Sequence, residues 1–253
     1  MTTGLLEARG IVFHHEGVLA VDHVDLVAEP GLVTAVIGPN GAGKTTLFDC
    51  LSGERVPSAG RVLLDGIDVT RLGTDERARR GIARTFQRSS VFLSMTVEEN
   101  LLVAAENRRR RITLREFFDL PAHGEGSSTG MVQRMLEEMR LGHVRNVVTG
   151  QLPTGTLRTV ELARALCTSP TALLLDEPAS GLDDEETALL AEHLAAQAVA
   201  GLTVVLIEHD IALVADSAHV VYVMNSGRVL ATGTPADMLN RADVRAAVLG
   251  LAT

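Results

Sequence analysis

Nine consecutive residues, Gly38-Pro39-Asn40-Gly41-Ala42-Gly43-Lys44-Thr45-Thr46, fit G-x-x-x-x-G-K-[S/T], a phosphate-binding loop. The glycines at 38, 41 and 43 let the backbone curl tightly and turn successive N–H groups toward one anion. A helix beginning beside Lys44 adds its positive N-terminal end. Lys44 supplies a point charge for the β and γ phosphates, the Thr45 hydroxyl suits Mg2+, and Thr46 offers a further hydrogen bond. Lys44 is also the only lysine; every other basic side chain among the 23 Lys and Arg is arginine. A compact ammonium fits between phosphates where a planar guanidinium does not.

Two further clusters carry chemistry of the same kind. Leu173-Leu174-Leu175-Asp176-Glu177-Pro178 is an apolar run ending in two carboxylates. Beside a phosphate loop, Asp176 is suited to hold Mg2+ through water, and Glu177 to orient or deprotonate an attacking water. Read alone, the same pattern would serve as a helix cap. Val204-Val205-Leu206-Ile207-Glu208-His209-Asp210 is a second apolar run ending in polar residues. It brings His209 to the same sheet edge, where the ring could contact a γ-phosphate and sense its loss. Gln87 closes a third strand pattern, and its amide could contact the metal or the attacking water.

The elements that must position these groups are legible from periodicity. Leu32–Ile37 reads as a buried strand entering the loop, and Leu47–Leu51 as the helix leaving it. Residues 5–13 and 20–27 read as strands joined by His14-His15-Glu16-Gly17. Gly60–Gly66 reads as a short strand with a tight turn, Thr74–Arg80 as a helix capped by Thr74, and Gly81–Phe86 as a strand. From Arg88 to about Gly150 helical patterns take over, at Val97–Ala105, Thr113–Phe118 and Met131–Leu141, with the polar stretch Pro121–Gly130 between the last two. The arginine run Arg108–Arg111 lies here. It reads either as a solvated helix face or as a contact for lipid headgroups or an acidic loop of a membrane partner. The alternation resumes with helix Leu157–Cys167, strand Ala172–Asp176, helix Glu185–Val199 and strand Thr203–Ile207. A short helix over Asp210–Ala215 follows, then strands Val220–Met224 and Arg228–Ala231 about an Asn225-Ser226-Gly227 turn, and a helix from Pro235. The order implies an α/β fold: a mostly parallel sheet flanked by helices and interrupted by a helical insertion.

Composition bounds the function. The chain has 253 residues, 46% of them hydrophobic, enough for a substantial core, and no apolar run of about eighteen, so no transmembrane helix is expected. The N-terminus lacks a signal-peptide pattern. The two cysteines, Cys50 and Cys167, fall on separate helix patterns and are expected as buried free thiols of a reducing cytoplasm. A net charge of −9 argues against nucleic acid as a partner, and one tyrosine with no tryptophan leaves no stacking platform for single strands.

Taken together, the clusters resemble the ATP-binding-cassette family in its nucleotide-binding subunit form, over nearly the whole chain. The resemblance makes Gln87 the Q-loop glutamine, Asp176 the end of the Walker B strand, Glu177 the catalytic carboxylate, Ser180-Gly181-Leu182-Asp183 the D-loop and His209 the switch histidine. It implies one ATPase domain over 1–253: a P-loop NTPase core (1–87 and 161–253) with an N-terminal antiparallel β subdomain, and an inserted α-helical subdomain with the signature loop (88–160). Gly81–Gln87, Ile207–Asp210 and Gly233-Thr234-Pro235 are similar to the ATPases of branched-chain amino-acid importers. Urea and other polar-solute importers use similar subunits.

Two places depart from the family pattern. The signature, usually L-S-G-G-Q, stands here as Leu152-Pro153-Thr154-Gly155-Thr156, followed by the expected helix from Val160. In the family this segment completes the ATP site of the opposite subunit, and Pro153 removes both a hydroxyl and an N–H from it. The expectation is a heterodimer with unequal sites, the site served by this signature being slow. The alternatives are that Thr154 or Thr156 substitutes in part, or that the helix dipole and the Gly155 N–H suffice. The second departure concerns the aromatic ring that the family stacks on adenine. Here His15 takes that place, with Phe13 as the alternative.

The resemblance implies an ATP- and Mg2+-dependent hydrolase, peripheral on the inner face of the cell membrane. Its partners would be a second cassette ATPase, membrane permease subunits contacted around Val91–Asn100 and, indirectly, a solute-binding protein. The rivals are a cassette ATPase working without a permease, on ribosomes, DNA or iron–sulfur assembly, and a GTPase or small-molecule kinase. An N-K-x-D-type guanine site needs a second lysine, which the chain lacks.

Overall fold

The computed structural model describes residues 3–85, 91–109 and 127–249. Gln87, the Thr113–Phe118 pattern and Pro121–Gly126 lie outside the described residues. The chain divides into two compact units. The first comprises Met1–Arg84, Thr171–Ser180 and Asp184–Thr253, and the second Thr85–Pro170 and Gly181–Asp183.

The first unit holds two sheets. Strands β1 (Leu6–His15), β2 (Val18–Ala28), β4 (Ala59–Leu64) and β5 (Ile67–Asp68) form an antiparallel sheet in the order β2-β1-β4-β5. In the second half of β2, Val24, Leu26 and Ala28 turn inward while Asp25 and Val27 face solvent, the period of a half-buried strand. Strands β3 (Val33–Ile37), β6 (Ile82–Arg84), β7 (Ala172–Asp176), β8 (Thr203–Ile207), β9 (Val220–Asn225) and β10 (Arg228–Gly233) form the other sheet, in the order β10-β9-β3-β8-β7-β6. All its pairings are parallel except β9 with β10. β3, β7 and β8 are buried at every position, so they read as apolar runs rather than alternations.

The helix Lys44–Ser52 leaves β3 and lies within the core joining the two sheets. Leu47, Phe48 and Leu51 are fully buried there with Leu6, Ile11 and Leu26 of one sheet and Val36, Leu174 and Val205 of the other. Its C-terminal carbonyls are closed by a buried cation. Arg77, on the short helix Thr74–Arg79 and fully buried, donates to the carbonyls of Cys50 (2.5 Å), Leu51 (2.7 Å), Thr70 (2.8 Å) and Leu72 (3.0 Å). A guanidinium suits this place because it has several donors and complements the negative end of the helix.

Three local expectations need correction, and a fourth, the helix expected over Met131–Leu141, runs instead over Ser128–Glu138. His14 and His15 are not in the β1–β2 turn. Both strands run on until His15 pairs with Val18, and Glu16-Gly17, with φ 47° and 86°, makes the tight two-residue turn that matches strand twist. Thr74 is not a cap: the cap position falls on Gly73, which makes no side-chain cap bond, and Thr74 is already helical. The helix expected from Leu157 begins at Thr154.

The second unit packs the helices Val97–Arg109, Ser128–Glu138 and Thr154–Cys167 against one another. The first opens with a capping box. Glu99 N–H donates to Thr96 Oγ1 (3.2 Å), and Thr96 N–H donates to Glu99 Oε2 (2.7 Å). Asn100, fully buried, accepts from Phe92 N–H and donates to the carbonyls of Phe92 and Thr96. Thr149 Oγ1 donates to the Phe92 and Met95 carbonyls. The 91–96 segment is thereby pinned from inside, while Phe92 and Leu93 stay 45% and 54% exposed.

Candidate active site

The phosphate-binding loop is held by the β9–β10 hairpin. Gly227 N–H donates to the Ala42 carbonyl (3.0 Å). A Cβ at Gly38 would stand 2.1 Å from the Met224 carbonyl oxygen, and one at Gly43 would stand 2.3 Å from that of Ala20. Both glycines are therefore demanded by close backbone approach as well as by positive φ. Lys44, only 7% exposed, folds back over the loop and donates from Nζ to the carbonyls of Gly38 (2.7 Å) and Pro39 (3.0 Å). Burial pulls its pKa below the ordinary lysine value, against the opposing fields of Glu177 and Asp176. Thr45 and Asn40 are exposed, and Pro39, Gly43 and Thr46 half-buried.

β7 ends at Asp176 beside this loop, in register with Ile207 of β8. Asp176 is almost wholly buried, and its Oδ2 accepts from Arg84 Nη2 at 2.8 Å. Desolvation raises its pKa, which Arg84 partly offsets. Its Oδ1 is buried with no hydrogen-bond partner among the described residues. An unpaired buried carboxylate oxygen is costly unless a cation or water satisfies it. That orphan oxygen, with Thr45 following Lys44 at the helix start, fits a hard, oxygen-seeking divalent cation.

Glu177 takes a left-handed backbone, φ 49°, uncommon for a residue with a side chain. The turn is fixed on both sides: Glu177 N–H donates to the Ile207 carbonyl (3.0 Å), and Ser180 N–H donates to the Glu177 carbonyl (3.1 Å). The Glu177 carboxylate, about one-third exposed, lies 3.8 Å from Nδ1 of His209, whose ring is 63% exposed. Two strand ends thus bring a half-open carboxylate and an open imidazole together beside a buried lysine.

The other expected residues are more dispersed. His15 ends β1, exposed, and its Nδ1 lies 3.3 Å from Arg55 Nη1. The Arg55 guanidinium stands 5.3 Å from the centre of the Phe13 ring, so one arginine joins the two candidates for the base platform. In the second unit, Leu152 and Thr156 are half-buried, Pro153 and Thr154 exposed, and Gly155 buried. Pro153 occupies the N-cap of its helix and provides no side-chain cap bond. Ser180 is exposed in the first unit, while Gly181, Leu182 and Asp183 group with the second.

Two side chains were not singled out from the sequence. Arg84, at the end of β6 and 8% exposed, binds Asp49 Oδ1 (2.8 Å) and Ser52 Oγ (3.1 Å) on the helix after the loop, as well as Asp176. Glu208 is fully buried directly after β8. An arginine closing a short apolar strand and a carboxylate closing a five-residue apolar strand were the signals present.

The family profile described as "ABC transporter" matches residues 21–180. The high-affinity branched-chain amino acid transport ATP-binding protein BraF of Pseudomonas aeruginosa is 40% identical over 99% of both chains. LivG of Escherichia coli, with the same description, is 38% identical over the same share. Among solved structures, the ADP conformation of MJ1267, an ATP-binding cassette of an ABC transporter, superposes with a TM-score of 0.83 at 29% identity, covering 98% of this chain and 99% of that one. A profile match over residues 21–180 and 40% identity along nearly the full length show that the chain belongs to the ABC transporter family.

Proposed function

We propose that this chain is the ATP-hydrolysing subunit of an importer for branched-chain or other polar amino acids, peripheral on the cytoplasmic face of the membrane. The observation that carries the hydrolase reading is the approach of Glu177 to His209, 3.8 Å apart, beside Lys44. The loop N–H groups and Lys44 would hold the β and γ phosphates. Glu177 would orient a water and take its proton as the water oxygen attacks the γ phosphorus and the bond to the β–γ bridging oxygen breaks. His209 would contact the γ-phosphate and respond to its loss. Thr45, Asp176 and Gln87 would hold Mg2+, which when bound supplies positive charge to the β and γ oxygens. His15 or Phe13 would support the adenine.

Similarity to BraF and LivG over nearly the full length supports the importer reading and the class of solute. In the well-pinned 91–96 segment, Phe92 and Leu93 offer apolar surface suited to a permease subunit. A second cassette subunit, identical or merely similar, would close on ATP using Leu152–Thr156 and the D-loop residues Ser180–Asp183. With Pro153 in the signature, the two sites of a mixed pair would be unequal.

The test is Glu177→Gln. ATP hydrolysis is expected to fall at least about 100-fold with ATP affinity retained, because only the transition state uses the carboxylate. A normal rate would remove Glu177 from the catalytic role. The same variant, used with ATP–Mg as bait in detergent-solubilised native membranes, should bring down a polytopic permease and a cassette partner. Recovery of ribosomal, DNA-bound or iron–sulfur assembly proteins in their place would leave the ATPase standing and overturn the importer.

A further inference from the structure

Glu208 stands between the two catalytic candidates and touches the backbone of both loops. It follows the last residue of β8, and its own N–H donates to the Val36 carbonyl (3.3 Å) in the strand that feeds the phosphate loop. Its side chain is fully buried, and both carboxylate oxygens are used. Oε1 accepts from the Ala179 N–H at 2.8 Å, within the turn that holds Glu177. Oε2 accepts from the N–H groups of His209 (2.9 Å) and Asp210 (3.1 Å). Asp210 is in turn the N-cap of the helix Ile211–Ser217, accepting from Leu213 N–H at 2.9 Å.

All three partners of the side chain are donors, which decides the residue type. A carboxylate offers an acceptor at each end and makes the stronger, charge-assisted kind of bond. Glutamine has one acceptor oxygen, and its NH2 group would face a donor in either orientation. The loops being tied hold the unusual features of the site: Glu177 in a left-handed conformation, and an exposed His209 ring whose Nδ1 lies 3.8 Å from Glu177 Oε1 and 3.9 Å from Glu208 Oε2. Such a conformation persists only where its surroundings over-determine it.

We propose that Glu208 is a positioning residue for ATP hydrolysis: a buried strap that ties the Glu177 turn to the His209 loop and keeps their side chains in register with the phosphate loop. The proposal rests on the ATPase reading above. Glu208 never meets the nucleotide. Its effect is therefore expected in the catalytic step and in the dependence of that step on His209, and not in ATP binding, which belongs to the loop around Lys44.

The test compares the full-length wild type, Glu208→Gln, His209→Ala and the double variant in steady-state ATP–Mg hydrolysis, with ATP binding measured separately. Glu208→Gln is expected to lower kcat by roughly 10- to 100-fold with KM and ATP affinity within about threefold of wild type. In the double variant kcat should fall by less than the product of the two single losses, because the strap acts in part through His209 and in part through Glu177. A kcat for Glu208→Gln within twofold of wild type, losses that multiply in the double variant, or a change confined to KM would overturn the strap while leaving the ATPase intact. Absence of hydrolysis in the wild type would overturn both readings. If Glu208→Gln yields no folded protein by circular dichroism, Glu208→Asp decides by the same comparison: it keeps the charge but is one methylene too short to reach both loops.

Discussion

Arg84 shows how much a single side chain can organise. It bonds the Asp176 carboxylate and, at the same time, Asp49 and Ser52 on the helix that leaves the phosphate loop, with its guanidinium 5.9 Å from the centre of the Phe48 ring. Asp176 has no solvent-exposed side-chain surface, so its charge depends on this partner and on whatever occupies its orphan Oδ1. Breaking a buried pair from one side typically costs about 3–5 kcal/mol, since the other charge is left in a poor solvent. Arg84→Met is therefore expected to lose about that much stability by chemical denaturation. If Asp176 holds Mg2+ as proposed, the Mg2+ concentration for half-maximal hydrolysis should also rise about tenfold, because an aspartate with nothing to aim it is a weaker metal ligand. A loss of stability with less than a twofold change in Mg2+ dependence would make Arg84 a purely structural residue. Lys44 is the complementary case. Its identity was read from the motif, yet its burial and its bonds to the Gly38 and Pro39 carbonyls follow from how the loop folds over it.

At the scale of elements, the groups of the candidate site stand at the ends of strands and helices. β3, β7 and β8 are buried along their whole length, Thr34 and Thr203 included, and a charged side chain appears only where a strand stops, as at Asp176. The parallel register then delivers all these ends to one edge of the sheet. The helix Thr154–Cys167 poses the matching question for the signature. Its N-cap is Pro153, with no side-chain bond to the first-turn N–H groups. Pro153→Ser should provide that bond, adding about 0.5–1 kcal/mol to the stability of the helix end. If the signature limits a paired site, the same change should raise the ATPase rate of the assembled complex at least about twofold. An unchanged rate would favour the reading in which the helix dipole and the Gly155 N–H already suffice.

At the scale of the whole molecule, each compact unit carries one buried thiol, Cys50 in the first and Cys167 in the second. Burial pushes both pKa values up to about 12. At pH 8 the reactive thiolate is then only about one part in ten thousand, so a thiol reagent should label neither cysteine in the native protein and both after denaturation. Fast native labelling of either would show that its unit opens readily. The same division explains what was legible in advance. The places of the glycine-rich loop, the strand-end carboxylates and the strand-end histidine could be read because each is a local pattern: a glycine spacing that suits a tight turn, or a polar residue stopping an apolar run. The strands themselves were found nearly to the residue where burial is complete, and missed at their tips where turn geometry decides, as at His14 and His15. The partners of Arg84 and Glu208 were beyond the sequence, since Arg84 reaches 92 positions along the chain to Asp176 and Glu208 reaches back 29 to Ala179. No local spacing encodes such pairings. The sequence determined which chemical groups this chain possesses and which strand each one ends; only the tertiary structure decided how they are aimed, because buried polar atoms must find partners and those partners come from elsewhere in the fold.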